Sequence, residues 1–408
     1  MKILVAAPSF AANLSGVQRH AINLARCLLS QPEITTLFFV VAPWQDALIQ
    51  AATLIPDPRL IVHVAALEQT SARRNAWYYR QLPRLAADLQ ADLVHLTCPM
   101  PVRQTSFRCP IVVTLHDLYP FEIPLNFGFP RFIFNRIVLG QCLRNTDAIA
   151  CVSNATQARL RHYLPALCRR AVCICNCVEP ASPATPPIPL HAWDGEPFLL
   201  SVAQHRRNKN LPLLIRTWHR LLQSQQLPPA TNLVIVGIEG PETPALRRLV
   251  AERGLEHRVR LVEGLPEAQL LWCYQHCEAL LAPSITEGFG LPVAEGLLAG
   301  CRIVCSDIPA HREIGGTRCT FVPLGKHAEQ DLARAIHDRL QAPKPQPALL
   351  PHFSAQVLGR QYAALYRRLI AASVRATSIA SSMATPPAER ACIVPEQEIP
   401  SRSAGGWR

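Results

Sequence analysis

The chain has 408 residues, of which 49% are hydrophobic and 17% charged, and this exceeds what one hydrophobic core usually supports. Its formal net charge of +12 is concentrated in the first 178 residues, which favours an acidic partner such as a lipid phosphate or an anionic membrane surface; nucleic acid is disfavoured because no RNA- or DNA-binding motif occurs. Its 15 cysteines, an odd number scattered along the chain, argue against a disulfide framework and predict a reducing, cytoplasmic location.

The first half alternates short apolar runs with longer amphipathic stretches. Residues 2–7 are predicted to be a strand rather than a signal peptide, because the apolar run is short and Pro8 ends it. Helical spacing of apolar residues predicts a helix over 17–30. Strands are also predicted at 36–42, 92–96, 111–116 and 148–153. Such alternation is typical of a parallel sheet with helices on both faces, and no run approaches the 18 apolar residues of a membrane span.

Three cysteines at alternate positions, Cys173, Cys175 and Cys177, resemble a metal cluster at first sight. Their alternation with apolar residues favours a strand, on which thiols two residues apart would lie about 6.5–7 Å from one another. Zinc thiolates must be closer than that, since each bond is about 2.3 Å. We therefore predict buried hydrophobic cysteines and no metal here.

A proline-rich stretch then separates two halves of the chain. Residues 179–190 contain five prolines in 12 positions, which excludes a helix or a central strand and predicts an interdomain linker. Strand and helix patterns restart after it, with strands expected at 198–203, 232–237, 259–264, 279–284 and 301–307. The predicted organisation is a first domain over 1–178, a linker over 179–195, a second domain over 196–350, a long amphipathic helix within 351–372 and a disordered tail over 373–408.

The segment APSITEGFGLPVAEGLLAGC (282–301) carries the strongest chemical signal. A strand leads into a glycine-containing turn, and Pro292 then suits the first turn of a helix, so free backbone amides are expected to face an anion. Glu287 lies in the turn and Glu295 about one helical turn further on. Carboxylates on both sides of an anion site suit a ligand with phosphates flanked by hydroxylated sugars. The alternative is a surface turn followed by a capping glutamate.

This segment, with its E-x7-E spacing and the following SDIPAHREIGG (306–316), resembles the retaining glycosyltransferases of family 4, which have the GT-B fold. The resemblance covers roughly residues 1–370. It implies two Rossmann-like doubly wound α/β domains that face a cleft. It further implies that Glu287 contacts the transferred sugar, that Glu295 contacts the ribose, and that Gly288, Phe289, Gly290 and Leu291 line the donor site.

A cationic loop follows the first strand of the second half. In SVAQHRRNKNLPLLI (201–215), Arg206, Arg207 and Lys209 lie together, with His205 as a further candidate cation. Fixed cations would stabilise the charge that develops on a diphosphate leaving group. Lys209 resembles the family's phosphate-binding lysine, although Ala203 stands where the family usually has glycine and Gln204 or Asn208 where it often has arginine. Either arginine could compensate, and a solvated basic turn is the alternative.

Two sites in the first half complete the expected cleft. His116 and Asp117 follow a strand at its carboxyl end, where α/β sheets bind ligands, and the family has a histidine there that contacts the donor sugar or its phosphate. Gly16 precedes a helix, which again suits an anion, and resembles the family's first glycine-rich loop. VSNATQARL (152–160) resembles a further family segment in which Ser153 or Asn154 would cap a helix. Neither a D-x-D motif nor a convincing His/Cys set occurs, so we expect no metal and no cofactor beyond the nucleotide-sugar substrate.

The sequence therefore predicts a metal-independent glycosyltransferase with a saccharide or polyprenyl-linked acceptor. The segment TLHDLYPFEIPLNFGFP (114–130) is similar to mannosyltransferases of polysaccharide assembly, which favours GDP-mannose as the donor. Residues 127–145 interleave aromatic residues with Arg131, Arg136 and Arg144, which suits a peripheral contact with an anionic membrane at the inner face of the plasma membrane. A core helix with a solvated face is the alternative. Other functions left open are a GT-B nucleotide-sugar epimerase and a non-catalytic nucleotide-sugar-binding protein; an NAD-dependent oxidoreductase is disfavoured because its glycine fingerprint is missing.

Overall fold

A computed structural model describes the backbone of residues 1–9, 15–53, 55–180, 186–191 and 193–383, and side chains as far as residue 375. Two separate parallel sheets dominate it, one of seven strands and one of six. The central strands of each sheet are almost entirely buried, because helices cover both faces, and this explains the continuous apolar runs in the sequence, whereas the strands at the sheet edges are partly exposed.

The first domain is built on the seven-stranded sheet, whose spatial order is β3-β2-β1-β4-β5-β6-β7. Its strands are β1 (Lys2–Ala6), β2 (Thr36–Val41), β3 (Leu60–Val64), β4 (Leu93–Leu96), β5 (Ile111–Leu115), β6 (Ala148–Cys151) and β7 (Ala171–Cys173). Its helices are α1 (Gly16–Leu29), α2 (Asp46–Thr53), α3 (Ser71–Ala76), α4 (Leu82–Asp88), α5 (Tyr119–Glu122), α6 (Arg131–Arg144) and α7 (Asn154–Tyr163), with a π-helical turn over Trp77–Gln81.

The second domain repeats the plan with a six-stranded sheet in the order β10-β9-β8-β11-β12-β13. Its strands are β8 (Phe198–Val202), β9 (Asn232–Val236), β10 (Val259–Val262), β11 (Ala279–Ala282), β12 (Ile303–Ser306) and β13 (Thr320–Val322). Its helices are α8 (Leu211–Gln223), α9 (Thr243–Glu252), α10 (Glu267–His276), α11 (Leu291–Leu298), α12 (Pro309–Gly315) and α13 (Ala328–Gln341), and a last helix, α14 (Ala355–Met383), follows. In both sheets the chain reverses its order beside the first strand, which creates the crevice where α/β folds bind ligands.

The last helix crosses back to the first domain. Leu358, Tyr362 and Tyr366 of α14 join the core formed by α1 and the first sheet. The two helices approach so closely that a β-carbon on Gly359 would lie 2.2 Å from the carbonyl oxygen of Cys27. The helix continues to Met383, so residues 373–383 are helical where the sequence predicts a tail, while 384–408 lie outside the described residues.

Most predicted strands are present within one or two residues of the expected bounds, but two edge elements differ. The sequence did not indicate β3 or β13. The strand predicted through Cys177 ends at Cys173, after which the chain leaves the sheet for the second domain. Part of the predicted linker, 181–185 and residue 192, lies outside the described residues.

Candidate active site

The residues with the strongest sequence signal meet at the carboxyl ends of β8 and β11. A small pocket there is lined by backbone and side chains of Ser201, Lys209, Ser284, Glu287, Gly290 and His311, among others. It opens beside the turn between β11 and α11, and the carboxyl end of β5 in the first domain lies against that turn. The predicted sugar-binding glutamate and the predicted phosphate-binding lysine therefore share one crevice.

Glu287 is almost completely buried in the pocket, with only 7% of its surface exposed. The Lys209 ammonium lies 2.6 Å from its Oε1 and the Ser284 hydroxyl donates to the same oxygen at 2.7 Å. Burial alone would raise the pKa of Glu287, but the positive charge of Lys209, the nearby His311 and these hydrogen bonds bring it below its ordinary value. The carboxylate is consequently ionised and paired at neutral pH.

Glu295 lies on the second turn of α11 and is not part of that pocket. The Tyr274 hydroxyl donates to its Oε2 at 2.6 Å. Burial raises the pKa of Glu295, and the charge of Arg19, on α1 of the first domain, opposes this shift. Glu295 thus lies on α11 near enough to α1 of the first domain for the charge of Arg19 to act on it.

The cationic loop separates its members by role. Asn210, in the left-handed region at φ 52°, turns the chain from the 3-10 turn Arg207–Lys209 into α8. Arg206 is partly buried, and its positive charge opposes the rise that burial causes in the pKa of Asp117, whereas the Arg207 side chain is exposed. Of the two arginines, Arg206 is therefore the one whose charge acts on Asp117 in the first domain. His205 is not a fourth cation, because it is buried against the Thr243 hydroxyl at 2.9 Å and burial lowers its pKa.

His116 and Asp117 lie at the end of β5, as expected. His116 Nε2 contacts the Thr97 carbonyl oxygen at 2.8 Å, so that nitrogen carries the hydrogen and Nδ1 is left as an acceptor. Burial lowers the pKa of His116 to about 4, which keeps the ring neutral. Burial raises the pKa of Asp117 to about 6, although the Tyr119 amide stabilises its charged form.

A buried histidine network supports His116 from behind. The ring of His20 packs edge-on against that of His116, with centroids 4.8 Å apart. His20 Nε2 and His95 Nε2 both contact the Thr114 hydroxyl, at 3.0 and 2.8 Å. His95 also contacts the Tyr366 hydroxyl, so the network connects the cleft to α14. Burial lowers the pKa of His95 to about 3, so this network is neutral.

The first domain makes several close contacts with the turn that carries Glu287. Gly288 is so close to the His116 carbonyl oxygen that a β-carbon on it would lie 1.7 Å away, which explains why glycine is needed. The Ser153 and Thr156 hydroxyls, at the start of α7, donate to the Gly288 carbonyl. Arg159 Nη1 donates to the Glu287 carbonyl at 2.6 Å.

A largely buried ion pair adds to these contacts. Arg159 Nε lies 2.7 Å from Glu122 Oε1, and their side chains are only 18% and 11% exposed. Glu122 in turn accepts a hydrogen bond from Thr286 at 3.2 Å, and the Tyr119 hydroxyl lies 3.3 Å from Glu287 Oε2. The two domains are therefore in contact at the turn that carries Glu287.

The other predicted donor-binding residues lie at the start of α11, in the core of the second domain and at the start of α1. Gly290 has φ 104° and begins α11, whose first residue is Leu291. Phe289 is buried against Phe353, with ring centroids 5.4 Å apart, so its side chain belongs to the core rather than to the pocket. Gly16 begins α1 and is exposed opposite Leu291, from which a β-carbon would be 4.0 Å. The preceding loop, 10–14, lies outside the described residues.

Sequence reasoning missed several residues that hold this site. Tyr119, Glu122 and Arg159 lie in segments that carry the resemblance, but only the fold shows that they contact this turn, and nothing in the local sequence marks Tyr274. His311 lies in the segment 306–316 that carried the resemblance, so a signal was present there. Its ring contacts Ser306 and its positive charge, when present, would favour ionised Glu287.

The structure contradicts one geometric argument about the cysteines. Strand geometry predicts that Cys173 and Cys175 hold their thiols about 6.5–7 Å apart. Their sulfur atoms and a carboxylate oxygen of Glu313 instead lie within 4.8 Å of one another. The chain leaves the sheet after Cys173, so strand spacing does not apply. Among the described residues, this is the group whose ligand atoms are close enough to hold a metal ion.

This fold and site define a class of enzyme, and comparison with known proteins identifies it. Residues 14–182 match "Glycosyltransferase Family 4" and residues 189–348 match "Glycosyl transferases group 1". The matches span both domains, and the chain belongs to this family of glycosyltransferases. Its fold is GT-B.

Three relatives illustrate the similarity. The O-antigen chain mannosyltransferase B of Escherichia coli is 27% identical over 352 residues, covering 78% of this chain and 85% of that protein. A GDP-mannose:cellobiosyl-diphosphopolyprenol alpha-mannosyltransferase of Xanthomonas campestris is 35% identical over 130 residues, which cover 32% of this chain and 33% of that protein. The crystal structure of Anabaena HepE with UDP and glucose covers 94% of this chain and 100% of that one, with a TM-score of 0.57 at 17% identity.

Within the residues that the structure describes, no helix combines the length and the apolarity needed to cross a membrane.

Proposed function

We propose that this enzyme transfers a hexose from a nucleotide-sugar to a saccharide or lipid-linked acceptor, with retention of the anomeric configuration, in surface polysaccharide assembly. The observation that carries this proposal is the Lys209–Glu287 pair, 2.6 Å between Nζ and Oε1, in a pocket at the strand ends of the second domain. A cation and a carboxylate in one crevice match the phosphate and the sugar hydroxyls of one ligand.

In this proposal each part of the donor has a partner in or beside the pocket. Lys209 and Arg206 would hold the diphosphate, together with the free amides where α11 begins at Gly290. Glu287 would accept hydrogen bonds from sugar hydroxyls and Glu295 from the ribose. When the donor binds, the Lys209 ammonium exchanges part of its contact with Glu287 for phosphate oxygens, which frees Glu287 for the sugar.

The reaction needs charge stabilisation and exclusion of water. In our proposal the acceptor hydroxyl attacks on the face from which the phosphate departs, and a phosphate oxygen takes its proton. The negative charge that develops on the departing diphosphate is stabilised by Lys209, Arg206 and the backbone amides of 288–291. Neutral His116 accepts a hydrogen bond from a sugar hydroxyl at Nδ1. Cations can supply this stabilisation without a metal. Losing one such donor should lower the turnover rate roughly 10²–10³-fold.

We favour mannose, carried by GDP, as the transferred sugar. The support is the set of relatives whose names specify mannosyl transfer, including one that specifies GDP-mannose and a diphosphopolyprenol acceptor. The structural relative with UDP and glucose makes UDP-glucose the natural competing donor. A thermal-shift comparison of GDP-mannose, UDP-glucose and free GDP should give the largest stabilisation with GDP-mannose.

Transfer itself is tested with a polyprenyl-diphosphate glycan acceptor and NMR of the product's anomeric proton. Lys209→Ala and Glu287→Ala should each lose most activity, whereas Lys326→Ala, which removes an exposed lysine of the same domain, should retain it. Near wild-type turnover in both site variants would contradict the assignment. Consumption of donor without acceptor, giving an isomeric nucleotide-sugar, would instead indicate an epimerase. Donor binding without turnover in any acceptor extract would indicate a non-catalytic binding protein.

We also propose that the enzyme contacts the inner face of the plasma membrane through α6 and the turn before it. Apolar side chains are unusually exposed here, with Phe129 at 81%, and Arg131 is exposed beside them. The exposed apolar members are Leu125, Phe129, Ile133, Phe134 and Ile137. Arg136 does not contribute a free charge, because it donates to the Pro120 carbonyl at 2.7 Å and lies over Phe121.

Flotation with anionic liposomes tests this contact. Replacing Phe129 and Phe134 by serine should weaken binding, whereas Leu349→Ser, which removes an apolar side chain that is 80% exposed in the second domain, should not. Binding that is equal with neutral and anionic vesicles, or equal in all three proteins, would contradict this surface.

A further inference from the structure

Three side chains of metal-binding type meet at the boundary between the two domains, away from the catalytic pocket. Cys173 ends β7 of the first domain and Cys175 follows it, while Glu313 belongs to α12 of the second domain. Their ligand atoms all lie within 4.8 Å of one another, and the Cys175 sulfur is 3.9 Å from Glu313 Oε1. All three are partly exposed, so a dissolved ion has access.

The geometry suits a tetrahedral soft cation. Zinc binds thiolate sulfur at about 2.3 Å and carboxylate oxygen at about 2.0–2.2 Å, so its ligands lie about 3.4–3.8 Å from one another. The three atoms need to approach by only about an ångström, which side-chain rotation supplies at partly exposed positions. Thiolate and carboxylate ligands together favour zinc over magnesium or calcium, which prefer oxygen alone.

Glu313 is already oriented by the first domain. Its Oε1 accepts from the Asn154 amide at 3.0 Å and from Asn154 Nδ2 at 2.9 Å, and its Oε2 accepts from the Ala155 amide at 3.2 Å. Oε1, the oxygen 3.9 Å from the Cys175 sulfur, would exchange its contact with Asn154 Nδ2 for the ion, while the two backbone amides keep the carboxylate in place. Hydrogen bonds of this kind fix the orientation of a ligand and strengthen a metal site.

We propose that Cys173, Cys175 and Glu313 bind one zinc ion, with water in the fourth position, and that the ion links the two domains. The two thiols release their protons to solvent as the ion binds. Because its ligands come from both domains, the ion stabilises the arrangement in which α7 and α12 are in contact. The same α12 carries His311 beside Glu287, so the site also bears on the position of the catalytic turn.

Cobalt(II) replaces zinc as a spectroscopic probe in the reduced, full-length protein after treatment with a chelator. We expect one cobalt per chain with a thiolate-to-cobalt charge-transfer band and tetrahedral d–d bands, all abolished by added zinc. Cys175→Ser should lose the charge-transfer intensity, and Glu313→Gln should weaken cobalt binding at least tenfold. Cys168→Ser, which replaces another partly exposed cysteine of the first domain, is the matched control and should behave as wild type.

The same proteins test the link between domains. Zinc should raise the melting temperature of the wild type and of Cys168→Ser, but not that of Glu313→Gln, which is a partly exposed substitution that keeps a hydrogen-bond acceptor. An unchanged cobalt spectrum in Cys175→Ser would place the sulfur ligands elsewhere, for example at Cys277 and Cys301, whose sulfurs are 3.9 Å apart, and would overturn the proposal. So would equal cobalt affinity in Glu313→Gln. None of these measurements depends on sugar transfer.

Discussion

Arg159 provides the sharpest test of how the two domains cooperate. It belongs to the first domain but donates to the backbone of Glu287 in the second, at 2.6 Å from Nη1 to the Glu287 carbonyl oxygen. Its Nε is also paired with Glu122 at 2.7 Å. We predict that Arg159→Ala lowers kcat/KM for transfer because the turn that carries Glu287 is no longer held in position.

The size of the effect follows from the hydrogen bonds that this substitution removes. A hydrogen bond from a charged donor contributes about 1.5–3 kcal/mol, and each 1.36 kcal/mol corresponds to tenfold in rate, so the expected loss is roughly 10- to 150-fold. Glu122 is left without its partner at 11% exposure, which will also lower stability. Glu122→Gln in the Arg159→Ala background should recover part of the stability by removing that charge, but not the activity.

The assay is the initial rate of transfer at several donor concentrations, together with the melting temperature of each variant. Arg161→Ala replaces an exposed arginine on the same helix and should match wild type in both measurements. Arg159→Lys should regain part of kcat, since lysine can still donate to the carbonyl. If Arg159→Ala stays within twofold of Arg161→Ala in kcat/KM, the contacts of Arg159 with Glu287 and Glu122 do not position the turn that carries Glu287, and the prediction is wrong.

Three further predictions concern the same cleft. Gly288→Ala places a methyl group 1.7 Å from the His116 carbonyl oxygen and should lower kcat/KM at least about tenfold. Gly325→Ala, with open space around it, should leave kcat/KM unchanged, and equal activities of the two variants would contradict the close approach at Gly288. Tyr274→Phe removes the 2.6 Å bond to Glu295 and should raise the donor KM roughly tenfold with little change in kcat, so an unchanged KM would exclude this role. Burial raises the pKa of Asp117 from 3.8 to about 6, so the folded state binds more protons than the unfolded state between these values and stability falls as pH rises through them. Asp117→Asn should therefore melt at a higher temperature than wild type at pH 8 and at the same temperature below pH 4, and an equal difference at both pH values would refute this.

The fold was largely predictable because buried parallel strands leave a strong local pattern. Each central strand is an unbroken apolar run bounded by turns. The elements that the sequence did not reveal are at sheet edges, where β3 is partly exposed and β13 is only three residues long, and neither gives such a run. The helix beyond residue 372 escapes prediction because its serine-rich composition is typical of disorder, although alanine also favours a helix.

The site was predictable only where one segment carries it. Glu287, Glu295 and the turn between them belong to a single strand–turn–helix unit, so their spacing is visible in the sequence. Arg159 and Tyr119 reach the same turn from 128 and 168 residues away, through the packing of one domain on the other. The thiols of Cys173 and Cys175 show the reverse error, since local strand geometry does not hold where the chain has already left the sheet.

The return of α14 to the first domain has a consequence for biosynthesis. The hydrophobic core beneath α1 includes Leu358, Tyr362 and Tyr366, which the ribosome adds more than 300 residues after α1. In the nascent chain that surface therefore stays uncovered until α14 has been translated, while the second half, whose strands and helices are contiguous, can fold first. For the same reason an expression fragment ending near residue 178 would lack part of its own core, and fusing 355–370 to it through a flexible tether should restore it.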